Sequence, residues 1–201
     1  MLDSFEKKAK EADHENFVQR LFQGSMENYI KCKNVDSKSS RIENFYDIQL
    51  PVKGNSNIYQ SLDEYTSDET LDGGNQYQTE KDGLQDAIKG LKFTTLPSVL
   101  MLHLRRFEYD WRADRNVKII SKLEIYEDLD MTAYTSKDNR SKNKEEMNYK
   151  LFGILIHQGS TAGSGHYITY IRPEMDQWYK FNDEVVTKVS WEYAKTMSEG
   201  G

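Results

Sequence analysis

Between Tyr149 and Asp183 the chain lays down three strand-length runs, "YKLFGILIHQ", "HYITYIRP" and "QWYKFND", with only short turn-forming links between them. The last two read as a hairpin, because "RPEMD" carries the turn formers Pro173 and Asp176. If Ile171 faces Gln177 across that link, His166 lies opposite Asn182, with Asp183 beside it. Opposed residues share a sheet face and reach one another. A slip of one residue would bring Asp183 to the ring instead.

An imidazole beside a side-chain acceptor has a chemical use. A general base needs a pKa near neutrality and a partner that fixes its tautomer, which frees the other ring nitrogen for proton transfer. Asn or Asp fills the partner role in histidine-dependent nucleophilic enzymes. The residues alone leave a second reading open, a polar pair capping a hairpin. The run "GSTAGSGHY" in front of His166 is rich in glycine, which costs backbone entropy and fits a place where backbone moves or approaches a ligand closely. Of the other histidines, His157 enters the same glycine-rich region, His103 sits in an alternating strand, and His14 lies in a polar helical stretch.

A base calls for a nucleophile. The spacing from the single cysteine, Cys32, to His166 and Asn182 falls in the papain-type range. Its surroundings, "YIKCKNV", read as a lysine-flanked strand rather than the helix N-terminus that lowers a thiol pKa. Ser160 and Ser164 lie near the histidine outside the strand-to-helix elbow of serine hydrolases. Base and orienter are visible, and a nucleophile is not.

The rest of the chain places these residues in an α+β frame. Residues 1–24 read as helical, with Gly24 as a stop. "ENYIKCKNV" and "NFYDIQLPV" read as an antiparallel hairpin separated by the polar "DSKSSRIE". "IYQSLDEYTS" and "GLQDAIKGL" read as short helices around the acidic loop "DETLDGGNQYQTEKD". "SVLMLHLRRFEYD" after Pro97 reads as the strongest strand, and "TSKDNRSKNKEEM" as a solvated loop. A short terminal helix closes the chain. An apolar fraction of 37% across 201 residues supports one good-sized domain, or one domain with a small appendage. A net charge of −6 disfavours a general nucleic-acid binder. The longest apolar stretch, "LFGILI", is too short for a bilayer span and no signal peptide is visible, so the expectation is a soluble chain of the cytoplasm or nucleus with no membrane partner. One cysteine suits a reducing compartment, and no Cys/His spacing points to a metal.

"LPSVLMLHLRRFEYD", "GSGHYITYI" and "WYKFNDEVV" resemble consecutive signature blocks of the ubiquitin-specific protease family of deubiquitinating cysteine proteases. "TLDGGNQY", "GLQDAIKGLKFTTLP" and "FYDIQL" extend the likeness across the chain, most of all to the herpesvirus-associated type. The resemblance implies a papain-like fold of fingers, palm and thumb, with most of the thumb missing. Residues about 25–95 would be the fingers with connecting helices, and about 96–195 the palm. It implies His166 as catalytic base, Asn182 as its orienter and Asp183 as close support. Asp47, Gln49, Arg106, Phe107, His157 and Tyr167 match positions lining a channel for the tail of ubiquitin, which would be the partner together with ubiquitinated proteins. "YDWRADRN" and "HQGSTAGSG", the latter with Gly163 and Gly165, would be blocking loops. No cofactor is implied. Many members hold zinc with two C-x-x-C pairs, but the matching positions here are Cys32, Val35, Gln78 and Lys81, so no zinc is expected. The family's cysteine box would precede Met1. The expectation is therefore the C-terminal part of a catalytic domain, inactive when isolated.

Overall fold

The computed structural model describes residue 8 and residues 16–112, 114–136, 147–161 and 163–200. Three α-helices are present among these: α1 (Phe17–Phe22), α2 (Ile58–Thr66) and α3 (Trp191–Glu199). The first strands are β1 (Gly24–Cys32), β2 (Lys38–Phe45), β3 (Ile48–Pro51), β4 (Glu69–Leu71), β5 (Tyr77–Thr79) and β6 (Gly83–Gln85). They are followed by β7 (Ala87–Thr95), β8 (Leu102–Arg105), β9 (Phe107–Asp110), β10 (Arg115–Lys118) and β11 (Asp128–Asp130). The last are β12 (Asn148–Lys150), β13 (Gly153–Thr161), β14 (Ser164–Ile171), β15 (Trp178–Asn182) and β16 (Val185–Val189). The chain forms two compact units, each assembled from three stretches: 1–48, 66–103 and 130–148 in the first, and 49–65, 104–129 and 149–201 in the second.

The first unit is built on an antiparallel sheet in the order β2-β1-β7-β4. The expected hairpin exists, but its return strand is the polar run itself: β1 pairs with β2 from Gly24↔Phe45 to Lys31↔Lys38. β2 is an edge strand exposed along most of its length, so it carries no apolar alternation to announce it. "GLQDAIKGL" is likewise strand rather than helix, forming β6 and the start of β7. Burial in β7 recurs at Ala87, Gly90 and Phe93, a three-residue spacing that imitates a helical stripe. Gly90 has a steric cause: a Cβ there would come within 2.1 Å of Asp68 Oδ1 and 2.6 Å of Tyr29 Oη. Those two atoms form a hydrogen bond of 2.7 Å across the glycine, with Tyr29 donating. The acidic stretch between the expected helices holds β4, a 3₁₀ turn at Gly73–Asn75, and β5.

At the end of this sheet Cys32 is 4% exposed and packs with Leu71 and Ala87, with Val35 and Tyr77 against them. Gln78 directs its amide to the Thr79 carbonyl, and Lys81 is exposed. These residues do not fit a zinc site: Cys32 and Val35 belong to a small apolar cluster, and Gln78 and Lys81 offer no zinc-binding thiolate or imidazole. α1 ends at Phe22, before Gly24 opens β1. Residues 1–15, Lys8 apart, lie outside the described residues, as do 137–146 of the charged stretch.

The second unit carries the sheet β13-β14-β15-β16, a meander of consecutive antiparallel strands. Alternation sends Ile156, Ile168, Tyr170 and Trp178 inward, onto Ala194 of α3. α3 starts where Ser190 accepts a hydrogen bond from the Tyr193 N–H at 3.2 Å, and Trp191 stacks on Trp178 with ring centroids 5.4 Å apart. The opposite sheet face leaves Leu155, Tyr167 and Val186 exposed. β16 was not among the expected elements, although "VVTKV" is rich in β-branched residues. No helix among the described residues is long and apolar enough to cross a membrane.

Candidate active site

β14 and β15 bring His166 to Asn182, at a register the sequence arithmetic missed. Ile171 lies opposite Tyr179, not Gln177, because the 3₁₀ turn at Pro173–Met175 lengthens the link by two residues. Side chains alternate with a period of two, so this slip keeps Asn182 on the face of His166 and makes the pair diagonal. His166 Nε2 and Asn182 Oδ1 stand 2.5 Å apart. A carboxamide oxygen only accepts, so Nε2 carries the proton and Nδ1 keeps the lone pair. Asp183 Oδ2 lies 3.9 Å from the same Nε2. Asp183 opens the two-residue turn into β16 with φ 51°, a left-handed conformation that Asp tolerates well. Its side chain is 78% exposed against 41% for His166, so water screens its charge.

On the other sheet face, aromatic rings form a row. His157 pairs with Tyr167 across β13 and β14, the ring centroids 5.0 Å apart. Phe107 meets His157 from β9, edge to face at 5.6 Å. Lys118, which faces Phe107 across the β9–β10 hairpin, donates to the His157 carbonyl at 2.7 Å and ties that hairpin to β13. Burial and the Arg106 charge hold the Lys118 ammonium below the ordinary lysine pKa. Nothing local in "RNVKII" marks Lys118, since its partner lies far along the chain. A cavity of about 210 Å³ opens beside Phe107, walled in part by Val52, Lys53, Arg105 and Ile119.

Gly165 at the hairpin tip has an internal reason to be there. A Cβ on Gly165 would meet His157 Nε2 at 2.3 Å and the Gln158 carbonyl at 2.6 Å, whereas one on Gly163 would meet nothing within 4 Å. β13 and β14 run to Thr161 and from Ser164, whose hydroxyls are 2.7 Å apart, so most of the run expected as a loop is strand. The imidazole at 157 needs a bare Cα beneath it.

Arg106 departs most from expectation. It is 9% exposed, and its guanidinium donates to the carbonyls of Ile119 (3.1 Å), Ser121 (3.0 Å) and Glu199 (3.1 Å). Burial lowers its pKa from the usual value. The side chain is a strut joining β9, the segment after β10 and the end of α3, and is not presented at the surface. Gln49 is exposed between buried Ile48 and Leu50. Asp47 belongs to the first unit, where its carboxylate lies 3.8 Å from His103 Nδ1. Cys32, buried in its apolar cluster, has no exposed thiol to offer a substrate.

The family model described as ubiquitin carboxyl-terminal hydrolase matches residues 1–200. Ubiquitin carboxyl-terminal hydrolase 7 of Drosophila melanogaster is 42% identical over 202 residues, covering 100% of this chain and 17% of its own length. Ubiquitin C-terminal hydrolase 12 of Arabidopsis thaliana is 45% identical over 207 residues, covering 100% of this chain and 18% of its own. The chain therefore spans less than a fifth of these relatives. Among solved structures, the SAGA Ubp8/Sgf11/Sus1/Sgf73 DUB module bound to ubiquitin aldehyde matches with a TM-score of 0.78 and 34% identity, over 92% of this chain and 40% of that one. The same module bound to monoubiquitin gives 0.79 and 33%, over 91% and 40%.

Proposed function

The chain belongs to the ubiquitin carboxyl-terminal hydrolase family, and from that premise we propose that it carries the histidine side of a thiol-dependent deubiquitinase. The observation that carries the reading is the 2.5 Å contact between His166 Nε2 and Asn182 Oδ1. With Nε2 committed to Asn182, Nδ1 is the atom to take the proton from an attacking thiol. The thiolate adds to the carbonyl carbon of ubiquitin's last glycine, the bond from that carbon to the target's amine nitrogen breaks, and His166 gives its proton to the departing amine. Water then releases the thioester, again with His166 as base. Asn182 orients the ring, and Asp183 supports its charged form through solvent.

Phe107, His157 and Tyr167 would hold the ubiquitin tail, with Gln49 and Asp47 as further contacts and Arg106 acting beneath them as a strut. Gly163 and Gly165 belong to a hairpin tip that would close over the tail. In family terms the first unit corresponds to fingers and the second to palm. The signature blocks and the zinc-less fingertip favour the herpesvirus-associated type.

The burial of Cys32 supports a reading in which the nucleophile is supplied by residues other than these 201 and the isolated chain would not hydrolyse. That same burial favours a second reading, a ubiquitin-binding module without turnover. A ubiquitin derivative ending in a thiol-reactive electrophile separates the two. We expect no labelling of the isolated chain, and labelling once a longer form supplies a nucleophilic cysteine. In that form His166→Ala should lower kcat/KM by at least about a thousandfold, with Asn182→Ala milder. Labelling of Cys32, or full turnover in His166→Ala, would overturn the assignment.

A further inference from the structure

β2 has one neighbour in the sheet order β2-β1-β7-β4, and among the described residues no strand pairs with its outer side. That side presents free N–H and C=O groups along an eight-residue strand whose side chains are mostly exposed, Ile42 at 59%. We infer that this edge pairs with the same edge of a second copy of the chain, antiparallel, about a twofold axis passing through Ile42.

Symmetry narrows the choice of register. A twofold axis normal to the sheet keeps each face on its own side, so opposed residues are both even-numbered or both odd-numbered. Two such registers use nearly the whole strand, one centred on Arg41 and one centred on Ile42. The first sets the Arg41 guanidinium against its own counterpart, a like-charge pair that opposes association. The second sets Arg41 of each copy opposite Glu43 of the other, Ser40 opposite Asn44, and Ile42 against itself, and it leaves Lys38 outside the overlap.

Both charges already lie on one face of the strand. Within the chain Arg41 pairs with Glu43, and Asn28 Nδ2 donates to Glu43 Oε2 at 2.7 Å. Pairing of two copies turns this into a closed four-charge ring on one face, with the Ile42 contact on the opposite face, and joins two sheets edge to edge. The register comes from charge, and the driving force from backbone hydrogen bonds and the Ile42 contact.

Single cysteines read the register directly, because the native Cys32 is buried. Opposed Cβ atoms lie about 5 Å apart, near enough for a disulfide after small adjustment. Under mild oxidation at micromolar concentration, Ile42→Cys should give a covalent dimer, while Arg41→Cys and Ser40→Cys should not. Sedimentation velocity of the 201-residue chain should show a concentration-dependent dimer. Arg41→Glu and Glu43→Arg should each raise its Kd roughly tenfold, since two reciprocal pairs turn repulsive. The double exchange R41E/E43R should restore it. The Arg41 and Glu43 side chains are 75% and 38% exposed, and circular dichroism checks that each variant keeps the fold. Preferential cross-linking of Arg41→Cys would overturn the inference. So would a chain that stays monomeric at its highest attainable concentration, including one whose edge captures only an extended peptide of another protein.

Discussion

At the scale of single residues, the contact between His157 and Gly165 is the most demanding in the second unit. Gly165→Ala should lower stability by about 1–3 kcal/mol, because the new methyl must displace the imidazole or the Gln158 carbonyl. Gly163→Ala, with open space around it, should change stability by less than about 0.5 kcal/mol. Thermal unfolding of the two variants checks this, and equal shifts would show that tip flexibility rather than the ring contact sets the requirement. The His166–Asn182 pair was legible in the sequence because both residues flank one short hairpin. The role of Arg106 was not, because Ile119, Ser121 and Glu199 reach it from elements that no local pattern connects to "LRRF".

Elements were legible where one face is buried and the other is wet. β13, β14, β15, α2 and α3 show that alternation or stripe and were expected. β2 was misread because both its faces are polar, and β7 because its buried positions fall at helical spacing around Gly90. The hairpin register was off by two residues, since the 3₁₀ turn at Pro173–Met175 leaves no distinct trace in "RPEMD". Arg106 matters at this scale, as it fastens the end of α3 to β9. Arg106→Ala should cost about 3 kcal/mol, leaving three carbonyls without their charged donor. Arg106→Lys should recover only part of that, because an ammonium lacks the planar fork. Urea denaturation followed by tryptophan fluorescence, which reports the Trp178–Trp191 stack, measures both. A neutral Arg106→Ala would refute the strut.

For the whole molecule, the outer face of the β13–β16 sheet decides behaviour in solution. Leu155, Thr169, Phe181 and Val186 stand in one row across it, with Leu155 65% and Val186 52% exposed. The isolated chain should therefore enhance the fluorescence of 1-anilinonaphthalene-8-sulfonate, and L155K/V186K should remove more than half of that signal with the circular dichroism unchanged. An undiminished signal would place the dye elsewhere. The interleaving of the two units along the chain has a further consequence for synthesis on the ribosome. The first unit draws its last stretch from residues 130–148, whereas the second needs everything from 149 onward, including all of β13 to β16. At roughly 5–20 residues per second, several seconds separate the moments at which the two sets of residues have all been made. During that interval the segments 49–65 and 104–129 are already translated and wait for the sheet they will pack with. Those two segments are the stretches open to premature contacts while the last strands are being made.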